Sequence, residues 1–356
     1  EKIADALKSG NYKLSSKLAW APMVACSLTI GFGGSAGSEG PIAYTGAGIG
    51  SNVGKFFKLD SECLRLLVII GAAAGIAGIF KAPIGGAMFA LEVLAMPMTT
   101  ASVIALVFAC LAAACVAYAC SGFTIDISYM PTNFFDPDMT AGVLALGIFC
   151  GLYSIYYSRM MRITTGWYAK MTNPWIKNVV SGLFVGLLIF VFPVLWGEGY
   201  GTLGDIINGN NSTVMRDTAL FGHGPWVLLA FVAMTFLLKP FATGTTNSGG
   251  GVGGDFAPTL FAGCFGGLLF AYFANTCLGT HLNVANFALF GMAGVMAGTI
   301  QAPLMAIFLS LEMVGDFAMF FPLTICALIS FATVRLSHRH LRITSHPVWR
   351  HHHPTR

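Results

Sequence analysis

Acidic residues are scarce in this chain, and two stand where a charge is hard to place. Glu39 lies in Gly37-Ser38-Glu39-Gly40-Pro41, directly ahead of an apolar run. Pro41 suits the first helical position, and the flanking glycines leave backbone N–H groups uncovered. Such a helix start carries partial positive charge and free donors, so it holds an anion without a full positive charge. Ser38 and Gly40, on either side of Glu39, are its candidate anion-binding residues. Asp255 lies in a second such start, Gly254-Asp255-Phe256-Ala257-Pro258. Two helix N-termini that meet would grip a small anion loosely enough for it to leave again, as a transport pathway requires. A carboxylate on the same loop takes the anion's place when ionised and vacates it when protonated, which makes Glu39 a candidate gate. The alternative is an acid that caps its own helix. Glu92, Glu312 and Asp316 also fall in apolar surroundings, where a charge costs at least about 2.5–3.5 kcal/mol on membrane-insertion scales. The remaining acids, Glu198 among them, fall in predicted loops or chain ends.

The elements that position these residues follow from composition. Of 356 residues, 56% are apolar and only 10% charged, against about 25% charged in soluble domains. With 43 glycines and no collagen period, the class is a polytopic helical membrane protein with close helix contacts. A net charge of +4 without a basic stripe excludes a nucleic-acid footprint. Apolar segments predict helices over 18–32, 41–57, 64–80, 83–96, 100–121, 139–163, 177–196, 225–242, 257–278, 286–300, 303–315 and 318–336. Several are shorter than the roughly 20 residues of a full span, as in transporters whose helices break at mid-depth. The nine cysteines sit in or beside apolar runs with no C-x-x-C pair, which points to packing rather than a redox or metal site. Basic residues cluster near both ends, so the positive-inside bias places both in the cytoplasm. The chain opens on Glu1 without a methionine, and reads as a piece whose start lies upstream.

The chain also repeats itself. Gly71–Glu92 and Gly291–Glu312 share Gly71/Gly291, Gly78/Gly298, Ala82/Ala302, Pro83/Pro303, Leu91/Leu311 and Glu92/Glu312 at an offset of 220. Gly33–Pro41 (GGSAGSEGP) and Gly250–Pro258 (GGVGGDFAP) match at an offset of 217. Two matches in the same order define an internal duplication, and transporter duplications often carry the site at the interface of their halves.

Those motifs, GSEGP, GGDFAP and the paired Ala-Pro segments ending in Leu-Glu, resemble the CLC family of chloride channels and proton-coupled chloride transporters over about residues 1–336. The resemblance implies an all-α integral membrane fold, an inverted-repeat bundle of short, tilted and discontinuous helices. Its divisions would be a first repeat over 1–125, a loop over 126–138, a second repeat over 139–345 and a tail over 346–356. It implies a homodimer in the lipid bilayer with an anion pathway in each subunit and chloride, or a similar halide, as the transported partner. Glu39 matches the family's gating glutamate. Phe256, with the backbone of Gly254, Asp255 and Ala257, matches the second anion-coordinating loop, and Pro41 and Pro258 match the helix starts. No cofactor, metal or nucleic-acid partner is implied, and the expected location is a bacterial inner membrane. The family's first anion loop is expected just before Glu1, and its late tyrosine is missing near Arg342. Val93 stands where the family's transporters carry a proton-transfer glutamate. A valine cannot relay a proton, which leans the reading towards a voltage-gated-type chloride channel, with a proton-coupled chloride or fluoride antiporter as the alternative.

Other features receive plainer readings. Glu92 and Glu312 are expected to accept hydrogen bonds from nearby backbone or serine, and Asp255 to pair with a nearby donor. Lys81 either draws anions or snorkels to the interface. Gly46, Gly50 and Gly54 form a close-packing stripe. The Asn211-Ser212-Thr213 sequon lies in a loop, and His351–His353 reads as an exposed tail. An intramembrane aspartyl protease built on Asp255 and Asp316 is the remote rival, and a dinucleotide-binding enzyme lacks the required glycine spacing.

Overall fold

A computed structural model describes residues 9–122, 139–209 and 224–341, with a few isolated positions beside them. Thirteen α-helices follow one another among these residues: α1 Ala21–Gly31, α2 Glu39–Phe56, α3 Ser61–Ile79, α4 Pro83–Val93, α5 Thr100–Ser121, α6 Thr140–Ala169 and α7 Pro174–Val191, then α8 Tyr200–Ile207, α9 Pro225–Ser248, α10 Phe256–Leu278, α11 Val284–Ile300, α12 Pro303–Val314 and α13 Phe320–Leu341. Every predicted helix is present. The eight-residue α8 was not predicted, because one short amphipathic stretch in a loop gives no apolar run long enough to register. The inter-repeat loop 126–138, the tail 346–356, the sequon and His351–His353 lie outside the described residues.

Local chemistry sets the helix ends. Proline opens α4, α7, α9 and α12, where a missing N–H costs nothing. Asp60 caps α3 by accepting from the Cys63 amide at 3.3 Å, and that bonding to Cys63 holds its carboxyl below the usual range. Pro41 is a correction: α2 begins at Glu39, two residues earlier than expected, with Ser38 as its N-cap. Pro258 sits alike, since α10 begins at Phe256. Both prolines occupy the third helical position, whose N–H has no partner within a helix in any case.

Packing repeats the duplication. A Cβ on Gly46 would lie 2.0 Å from the Gly71 carbonyl oxygen, and one on Gly50 equally close to that of Leu67, so α2 and α3 touch backbone to backbone. In the second half Gly263 meets Gly291 and Gly267 meets Phe287 in the same manner, which packs α10 on α11. Seven helices (α3, α5, α6, α7, α9, α10 and α13) are long and apolar enough to cross a membrane. The deepest core lies on α10 and α11, where residues such as Phe265 and Phe287 are fully buried. α5 and α7 expose apolar side chains such as Phe108 and Leu183 instead, as helices facing lipid do.

Two reciprocal contacts tie the halves. Glu92 accepts from the Leu304 and Met305 amides at 3.1 and 2.8 Å, while Glu312 accepts from those of Ile84 and Gly85 at 3.0 and 2.7 Å. Each repeat therefore caps the other's broken helix, α12 or α4, as the plainer reading of these acids expected for the bonds themselves. A contact made twice with the roles exchanged defines an approximate two-fold axis between the repeats.

Candidate anion site at paired helix N-termini

The second reciprocal contact builds the site. Gly37 and Gly254, equivalent at the 217 offset, exchange backbone hydrogen bonds in an isolated antiparallel bridge, at 3.0 Å from Gly37 and 2.6 Å from Gly254. This clasp brings the starts of α2 and α10 together: a Cβ on Gly40 would come within 3.1 Å of the Gly254 Cα. A Cβ on Gly254 would lie 2.8 Å from the Gly40 nitrogen, so at that position only glycine allows the approach. The clasp also consumes the Gly254 N–H, which points the remaining free donors of the second loop to the first turn of α10.

Glu39 is fully buried at this junction. Its Oε1 accepts a 2.6 Å hydrogen bond from the Tyr200 hydroxyl, and its Oε2 has no partner. The carboxylate folds beneath its own loop, where a Cβ on Gly37 would collide with Oε2. A buried carboxylate oxygen without a full hydrogen bond is costly, so the position favours movement of the side chain. Ser38 makes no side-chain cap on α2. Its N–H donates instead to Glu198 at 2.6 Å, and its hydroxyl donates to the same oxygen. Asp255 pairs as expected, accepting from Asn247 Nδ2 at 3.0 Å. Phe256 is half-buried, with its ring edge-on to Phe89 at 5.8 Å, and Ala257 is fully buried behind it.

Three site residues escaped the sequence reading. Glu198 lies on the turn between α7 and α8, which reaches across to the first repeat, and Tyr200 opens α8. Trp196 Nε1 donates to the Ile30 carbonyl at 2.9 Å, and Gly197 N–H to the Gly34 carbonyl at 3.0 Å. Gly197 and Gly199 both have positive φ, 64° and 80°, and a Cβ on Gly199 would strike the Phe261 ring at 2.3 Å. The Gly-Glu-Gly-Tyr spacing was the available signal. The third is Lys239, wholly buried on α9. Its ammonium donates to Ser35 Oγ at 3.0 Å and the Gly197 carbonyl at 3.4 Å, and sits 4.4 Å from the centre of the Phe261 ring. A lysine inside the apolar run 225–242 was legible as an intramembrane charge, but only the acids were sorted singly.

The remaining candidates sit apart from this cluster. Val93 ends a π-helical turn, Phe89–Val93, and is half-buried against the core. Lys81 is buried rather than snorkelled, at positive φ, with its ammonium 5.4 Å from the centre of the Tyr118 ring. Asp316 accepts from the Ala318 amide at 2.8 Å, a local turn that leaves the protease reading without support. Two cavities flank the loops. One of about 300 Å³ is lined by Cys26, Ser38, Pro41 and Glu198, and one of about 550 Å³ beside Gly33, Gly34 and Gly249–Gly251 has no charged side chain in its lining.

Two interlocked helical repeats whose broken helices present their N-termini to a shared polar centre define a membrane-transport class of fold. The family model described as voltage gated chloride channel matches residues 1–335, and the chain belongs to this family, the CLC family. It is thus a multi-pass integral membrane protein of an anion-transport family. A Ralstonia nicotianae protein named as a ClcB-like chloride channel protein is 29% identical over 339 residues, 94% of this chain and 75% of that protein. The Vibrio cholerae H(+)/Cl(-) exchange transporter ClcA is 29% identical over 311 residues, 84% of this chain and 62% of that protein. The crystal structure of a slow cyanobacterial Cl-/H+ antiporter superposes with a TM-score of 0.73 at 23% identity, covering 97% of this chain and 78% of that one.

Proposed function

We propose that this protein moves chloride or a similar halide across a bacterial inner membrane, through one pathway in each subunit of a homodimer. The pathway passes the paired starts of α2 and α10, and Glu39 is its gate. The anion takes donors from Ser38 and Gly40 on one side and from Phe256 and Ala257 on the other, with Gly254 and Asp255 shaping the second loop. Repeats over 1–125 and 139–345 are the units that carry these loops. The observation that carries the reading is the Glu39 carboxylate, wholly buried where the two helix starts meet, with one oxygen unpartnered. Partial charges at helix ends attract an anion without trapping it, and an ionised carboxylate among them is its natural competitor.

Two modes of transport share this machinery. Val93 favours a channel, because a valine offers no proton relay where the family's transporters carry a glutamate. The exchange transporter and antiporter among the matched proteins favour proton-coupled exchange instead, so the valine alone does not carry a channel assignment. Paired chloride and proton flux from proteoliposomes under a chloride gradient separates the two. Chloride efflux that drives no proton movement gives the channel, and proton movement locked to chloride gives the antiporter. Absence of any chloride flux would overturn the proposal as a whole.

A further inference from the structure

We infer that Glu198 is a second, outer gating carboxylate, which holds the Ser38 donors against the permeating anion and must release them for it to pass. The inference rests on the reading that the Ser38 loop lies on the anion pathway. Ser38 presents two donors at the start of α2, a backbone N–H and a hydroxyl, and both are spent on one Glu198 oxygen. The structure thus already holds an anion at this place, supplied by the protein itself. The grip is built rather than incidental. Gly197 and Gly199 give the turn its left-handed backbone, Gly197 N–H and Trp196 Nε1 pin it to the first repeat, and Lys239 binds the Gly197 carbonyl.

Glu198 is also placed to let go. It is half-buried and lines the cavity of about 300 Å³ beside Ser38, so its side chain has room to swing away, whereas Glu39 is sealed behind it. The same turn sends Tyr200 to Glu39. A single four-residue segment therefore holds both carboxylates, one directly and one through a hydroxyl. The charged and titratable groups that face Glu198 are Glu39 on α2, Lys239 on α9 and Cys26 on α1, while Tyr200 on α8 faces Glu39. Lys239 offsets one of the two negative charges. A negative charge is left over at the mouth of an anion path, and withdrawal of Glu198 removes it.

Chloride binding to purified protein, measured calorimetrically at neutral pH, tests this directly, with Glu198→Gln beside the parent. If the carboxylate holds the donors about nine-tenths of the time, removing its charge tightens apparent chloride affinity roughly tenfold. Glu198→Ala, which removes the competing carboxylate and keeps both Ser38 donors, should shift the parent in the same direction and serves if Glu198→Gln is poorly folded. Parent-like affinity in both variants would overturn the inference. Glu39→Gln measured alongside separates it from the Glu39 reading. A chloride affinity raised by Glu198→Gln and unmoved by Glu39→Gln would sink the Glu39 gate and keep the outer one, and the opposite result would do the reverse.

Discussion

At the scale of single residues, the gate depends on how each oxygen of one carboxylate is treated. Glu39 Oε1 is held by Tyr200 at 2.6 Å, while Oε2 makes no full hydrogen bond and the carboxylate is otherwise drawn only by the Glu39 and Ala257 amides, so the closed position is held unevenly. Glu39→Gln, which mimics the protonated side chain, should flatten the pH dependence of chloride efflux and leave the path open. An efflux profile that still tracks pH in that variant would remove Glu39 from the gating role. Tyr200→Phe deletes a hydrogen bond to a charged partner, worth about 1.5–3 kcal/mol, and should raise neutral-pH efflux roughly tenfold while Glu39→Gln/Tyr200→Phe behaves like Glu39→Gln alone. Phe256→Ala should alter the chloride-to-nitrate flux ratio more than the yield of folded protein; the reverse pattern would make Phe256 a packing residue against Phe89. The sequence disclosed Glu39 and Phe256 because their motifs are short, glycine-flanked and duplicated. It hid Tyr200 and Glu198, since their value comes from a turn folding back over a loop some 160 residues away in the chain.

At the scale of elements, the glycine stripes decide how closely the loops can be brought together. The stripe at Gly46, Gly50 and Gly54 was readable from its four-residue spacing, and the structure puts two of its members against bare backbone of α3. Its counterpart at Gly263 and Gly267 follows from the duplication. Gly46→Ala forces α2 off α3, because the obstacle is a carbonyl that cannot turn aside, and overpacking of that kind costs about 1–3 kcal/mol or more. Gly166→Ala on α6, where a Cβ meets nothing within 4 Å, should instead be neutral or gain about 1 kcal/mol of helix propensity. Thermal unfolding of both variants in detergent checks the contrast, and equal melting temperatures would show that the stripe is slack. Helix existence was legible because apolar runs of this length have few other uses. Helix starts were less so: α2 and α10 begin two residues ahead of the prolines that marked them, since a proline is tolerated anywhere in the first turn.

At the scale of the molecule, the duplication becomes a mechanical arrangement. The two offsets, 217 and 220, differ because the extra residues lie between Pro258 and Gly291, where α10 runs to 23 residues against 18 in α2. What the duplication could not disclose is that the halves cap one another, since a repeat seen in sequence says nothing about which copy an acid will face. Glu92 and Glu312 each satisfy two amides across the repeat interface. Removing either carboxylate leaves a helix start uncapped, at about 0.5–2 kcal/mol. Because both clamp the same pair of helices, the double Glu92→Ala/Glu312→Ala variant should depart from the sum of the singles by roughly 0.5–3 kcal/mol. The stability result has a functional twin. Glu92 is the residue next to Val93, and is the obvious substitute if protons do cross this protein. Its carboxylate is spent on α12, so Glu92→Gln, which keeps an acceptor oxygen for the cap, should lower stability slightly and leave the proton-to-chloride flux ratio at the parent value. A ratio that falls in Glu92→Gln and not in Glu312→Gln would break the symmetry of the two caps and turn Glu92 into a proton carrier beside a silent Val93.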